Sequence, residues 1–185
     1  MIVIGLLRFL GLLNAAVWFG TAFFFIFVAD PAATTSAAMK ELLGPKSFPY
    51  FSVAVGQIIA ARFFTTFLVC SILAMVHTGA EWLYFGKYPR RFWLVLIFTL
   101  FLGGLVQMYG LQPRLKARLA AQHSTNSGPE QREAALHSFR TWRAVSTGFN
   151  LLMFGGLGLY LWRVANAPDE MRFVGGTSFP GKFRS

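Results

Sequence analysis

The chain has 185 residues, 55% hydrophobic and only 13% charged, with a mean hydropathy of +0.53. A soluble domain carries about twice that charged fraction, roughly 25%, and the apolar residues here come in runs too long for a water-soluble core. The composition therefore excludes an ordinary soluble fold and implies an all-α, polytopic membrane protein. Seventeen Lys+Arg against seven Asp+Glu give a net charge of +10. The cations gather at the ends of apolar runs, where lipid phosphates lie, so the charge argues for membrane lipid and against nucleic acid as a partner. The single cysteine, Cys70, excludes an intrachain disulfide.

At a prior of roughly 150 residues per domain, the length allows one domain. The expected division is a four-helix transmembrane domain over residues 1–166 and a basic, extended tail over 167–185. Spans are expected at about 6–28, 52–76, 92–111 and 142–162, each near the ~20 residues that cross a bilayer. Residues 6–28 are too long for a signal-peptide core of ~7–15 residues and read as a retained helix. Ala16 and Gly20 form a small-xxx-small pair suited to close helix approach. Asp30-Pro31 resembles an N-cap and N1 proline, opening a short interfacial helix that stops at Gly44-Pro45.

The second span carries another small pair, Gly56 and Ala60, and the intramembrane charge Arg62. An arginine at the bilayer centre costs about 3 kcal/mol on insertion scales. No acidic residue lies inside a span, so Arg62 is expected to snorkel toward Asp30 or a lipid phosphate. Residues 81–91 read as an interfacial loop in which Trp82, Tyr84, Phe85 and Tyr88 mix with Lys87, Arg90 and Arg91. Those cations, with Arg172, Lys182 and Arg184 of the tail, are the expected contacts to lipid or partner. The third span has Gly103-Gly104 for packing and Gln107 as its strongly polar group, and its helix continues past Pro113 into charged sequence. Ser127, Pro129 and Glu130 form a helix start of capping-box type, so the third and fourth helices should share an extramembrane extension. Eight Lys or Arg fall on each side of the four spans, and the positive-inside rule gives no orientation.

The fourth helix holds the main polar feature. Arg143, Ser146, Thr147 and Asn150 follow an i, i+3, i+4, i+7 spacing that lines them on one stripe. Because polar groups in hydrocarbon need partners, the stripe should face other helices. Its plain reading is helix–helix hydrogen bonding; its sharper reading is a polar path with Asn14, Gln57 and Gln107.

Phe48-Pro49-Tyr50-Phe51, Leu111-Gln112-Pro113-Arg114, Ser146 with Asn150, and Trp18-Phe19-Gly20 occur in an order and spacing that resembles the transmembrane protein 205-like family across residues 6–165. The resemblance implies a four-helix membrane domain of largely uncharacterised role. The family often has histidine three residues before the serine, where this chain has Arg143.

His77, His123 and His137 lie at unmatched depths, so no pair can clamp a haem. Cys70, Met75 and His77 are a weak soft-ligand set for copper. No motif for metalloprotease, nucleotide or acyl-transfer chemistry is present, and neither a catalytic residue nor a cofactor is expected, although bound lipid is. The function expected is an accessory or scaffolding subunit of a larger membrane complex, a bioenergetic one being a candidate, sited in a bacterial inner membrane among other membrane subunits. The alternative is a small transporter or permeability factor for a metal or solute.

Overall fold

The computed structural model describes residues 2–85, 91–122 and 128–166, and every element among them is helical. Four long helices result: α1 (residues 2–35), α2 (Ala37–Phe85), α3 (residues 91–122) and α4 (Pro129–Ala165). All four contain stretches long and apolar enough to cross a membrane. Each helix packs on the next, and α4 closes the ring on α1. Neighbours run antiparallel. His77 meets Leu7 while Thr34 meets Gly56, and Arg163 meets Trp93 while Arg114 meets Trp142.

One expected boundary is corrected, and its cause recurs in a second helix. Asp30-Pro31 does not open a new helix. Instead Ile2–Phe24 widens into a π-turn at Phe25–Ala29 and continues as Asp30–Thr35, with the Asp30 N–H donating to the Phe25 carbonyl five residues back. Helix α3 does the same: a π-turn at Val106–Leu111 precedes Pro113, and the Gln112 N–H donates to the Gln107 carbonyl. A proline inside an α-helix removes one hydrogen bond and crowds the carbonyl four residues earlier. A wider turn placed just before it relieves both problems, so the helix passes through. The actual break falls at Ser36, whose extended backbone and hydroxyl, accepting from the Met39 N–H at 3.4 Å, form the cap of α2. The chain then bends at Gly44, whose φ of 71° suits glycine alone among common residues.

Further along, α2 runs helically to Phe85 through half of the expected 81–91 loop. At the start of α4, Gly128 is the N-cap and Pro129 takes the first helical position, with no side-chain cap. The cap thus falls one residue later than a Ser127 box requires, and Ser127 lies outside the described residues. The unbroken α3 and α4 do continue past their apolar stretches, where Leu115 and Leu119 pack on Phe139.

The core is aromatic. Gly11, Ala15, Trp18, Ala22, Phe25 and Ala29 of α1 are all buried, alternating spacings of four and three that make a continuous seam. Trp18 is fully buried, edge-on to Phe67 at 5.0 Å and Tyr160 at 5.8 Å, and Phe25 stacks on Phe63 at 4.1 Å. Ala16 and Gly20 face outward instead, with nothing near Gly20, so that small pair makes no helix contact. Gly56 does, under Thr34, and Gly103 and Gly104 let Met153 and Phe67 close over α3. Large apolar residues such as Phe9, Val69, Val95 and Leu152 cover the outside of the bundle.

Candidate functional site: a polar seam and cleft at one end of the bundle

Of the fourth-helix stripe, Ser146 is buried and Arg143 and Asn150 are partly so, whereas Thr147 stays exposed; the partner of Ser146 and Asn150 is Gln107. The π-turn of α3 carries Gln107 into the bundle, where its side chain is 1% exposed. Its amide nitrogen donates to the Ser146 carbonyl at 3.1 Å and to Asn150 Oδ1 at 2.8 Å. Its amide oxygen accepts from Ser146 Oγ at 3.0 Å. Buried polar groups that satisfy one another carry little desolvation penalty and fix the rotation of α3 against α4.

Toward the hairpin, the seam opens into a cleft with a cavity of about 60 Å³, room for roughly four waters at ~15 Å³ each. Asp30, Thr34, Gln57, Gln112, Arg143, Ser146, Thr147 and Asn150 supply its polar lining, and Phe25 and Ala60 are among its apolar residues. Arg143 Nη2 lies 3.6 Å from Asp30 Oδ2, both side chains 35% exposed. The amide nitrogen of Gln57 is buried there without a hydrogen-bond partner.

Asp30 is therefore engaged by Arg143. Arg62 lies on the exposed surface of α2, with no ion pair among the described residues. A sequence stripe cannot reveal which carboxylate it will meet; the signal available was that Asp30 ends one span and Arg143 begins another on the same side.

Asn14 does not join the cleft. It donates to the Cys70 carbonyl at 3.0 Å, beyond the Trp18 and Phe67 rings. Nor are the soft-ligand candidates gathered. Cys70 and His77 face α1, the imidazole Nε2 lying 2.9 Å from the Leu7 carbonyl, whereas Met75 lines a groove between α2 and α3. His137 is exposed on α4 and His123 lies outside the described residues. So do Lys87, Arg90, Arg172, Lys182 and Arg184, while Arg91 is exposed at the start of α3.

A second ion pair mirrors the first. Twenty residues after Arg143 on α4, Arg163 lies 3.7 Å from Glu81 and over the Trp93 ring at 5.3 Å. At 1.5 Å per residue the two arginines are about 30 Å apart, the thickness of a bilayer's hydrocarbon layer.

Among the described residues the fold and site thus define an all-α bundle of four helices long and apolar enough to cross a membrane, with an internal polar cleft. No family model, curated protein or solved structure matches the chain, so the resemblance to the transmembrane protein 205-like family rests on its motifs. Of the residues in those motifs, Trp18 is at the core, and Gln112, Ser146 and Asn150 line the cleft.

Proposed function

We propose that the chain is an integral protein of a bacterial inner membrane that acts as a non-catalytic accessory or scaffolding subunit of a larger membrane assembly. A helical bundle suits that membrane, since spanning proteins of the outer membrane are β-barrels. The observation that carries the reading is the closure of the polar seam. Gln107, Ser146 and Asn150 use their side-chain groups on one another, and the Trp18–Phe67–Tyr160 cluster fills the bundle beyond them. Such an arrangement fixes helix geometry and leaves the apolar exterior and the α3–α4 hairpin for contacts. Extraction in mild detergent tests the role: a larger complex containing defined membrane partners supports it, and a lone monodisperse monomer under cross-linking conditions counts against it.

The cleft favours a second reading, a permeability factor for a metal or small solute. Asp30, Thr147 and the unpartnered Gln57 amide would form its vestibule. Proteoliposome flux compared between wild type and an Arg143→Gln/Asn150→Ala variant tests it, and unchanged flux of each solute rules it out.

A further inference from the structure

We propose that the groove between α2 and α3, at the end of the bundle opposite the polar cleft, holds the acyl chain of one membrane phospholipid, with Arg91 at its phosphate. The groove has a volume of about 480 Å³, within the roughly 300–1,000 Å³ range of ligand pockets. One wall is Met75, Gly79 and Trp82 of α2; the other is Leu94, Val95 and Phe98 of α3. Both sets follow helical i, i+4, i+7 or i, i+1, i+4 spacing, so each wall is a single continuous stripe.

Three observations select the occupant. First, the walls are apolar apart from Thr78, which with Ile97 forms the buried floor, and Val95 and Phe98 are exposed by 62% and 55%; next to a bilayer, acyl chains are the adjacent material. Second, Arg91 sits three and four residues before Leu94 and Val95, on the same stripe and one turn beyond the groove, and it is exposed. Trp82 lies at that same end, 44% exposed, and tryptophan and arginine together mark the headgroup level. Third, the stripe from Arg91 to Phe98 is about 10 Å long at 1.5 Å per residue. That suits part of one chain and is too short a seat for a crossing helix. The groove is open over Gly79, where a Cβ would meet no atom within 4 Å.

The inference depends on membrane embedding but not on the accessory role, and resistance to alkaline extraction reports the embedding separately. The test is native mass spectrometry of the full chain in mild nonionic detergent, with extraction and quantification of co-purified phospholipid. Wild type is expected to retain about one phospholipid per chain. Gly79→Phe, whose Cβ meets no atom within 4 Å, should lower retention at least five-fold by filling the groove, and Gly79→Leu should do so if the larger residue prevents folding. Arg91→Gln should lower retention about two-fold or more. Gly20→Phe, an equally open glycine on α1, should leave it unchanged. Absence of retained phospholipid in wild type, or retention at the wild-type level in both Gly79 variants, overturns the proposal. So does a second copy or another protein that wild type retains and Gly79→Phe releases.

Discussion

Replacing Gln107 with leucine, nearly its equal in volume, isolates the polar seam. The substitution removes three hydrogen bonds between α3 and α4. Within membranes such bonds average about 0.6 kcal/mol each, giving about 2 kcal/mol. Ser146 Oγ can then turn to a carbonyl one helical turn back, but Asn150 Oδ1 loses the amide that satisfied it, adding up to about 1 kcal/mol. The expected loss is about 2–3 kcal/mol, a factor of roughly 30–150 in the unfolding constant at ~1.4 kcal/mol per decade. Reversible unfolding in dodecyl maltoside micelles of rising SDS fraction, followed by far-ultraviolet circular dichroism, measures it. Coupling is the sharper readout. Asn150→Leu in the Gln107→Leu background should cost less than it does alone, because removing both partners of a buried bond is nearly neutral. Strict additivity, or a Gln107→Leu protein as stable as wild type, would refute the seam as drawn.

Three more outcomes follow from the packing. Tyr160→Phe deletes a buried hydroxyl that has no hydrogen-bond partner, so stability in the same assay should be unchanged or higher; a clear loss would mean that the hydroxyl is bonded. Gly11→Ala drives a methyl group into the His77 ring and should cost about 1–3 kcal/mol by overpacking, whereas Gly20→Ala, over open space, should be neutral or raise stability by up to about 1 kcal/mol. Asp30→Asn breaks a half-exposed ion pair and should cost less than about 1 kcal/mol, an effect that fades in high salt and is largely recovered by adding Arg143→Gln.

The architecture was legible because runs of about 20 apolar residues and a stripe at helical spacing need no tertiary knowledge. The inward orientation of Ser146 and Asn150 followed from the cost of polar groups in hydrocarbon. Their partner did not. Gln107 lies in the π-turn that precedes Pro113, and a template of 3.6 residues per turn does not place a residue of a widened turn. Asp30-Pro31 misled for the same reason, since an X-Pro pair in an apolar run signals a stop locally and a widened turn globally. The outward Ala16/Gly20 pair shows the limit of small-residue motifs: Gly11, Ala15, Ala22 and Ala29 offered a longer small-residue pattern, and that one was buried.

Both widened turns hold one residue more than a regular turn, and they end immediately before the residues that line the cleft, Asp30 on α1 and Gln112 on α3. Losing one residue inside either turn would restore a regular 3.6-residue turn, and the residues beyond it would keep their faces. Asp30 would still point toward Arg143 and Gln112 toward the cleft, and only the side chains of the widened segments themselves, Phe25 or Gln107 among them, would be re-aimed. Each five- to six-residue segment therefore takes up its extra residue locally, which makes it the part of the molecule that a single-codon deletion could straighten without unfolding the rest.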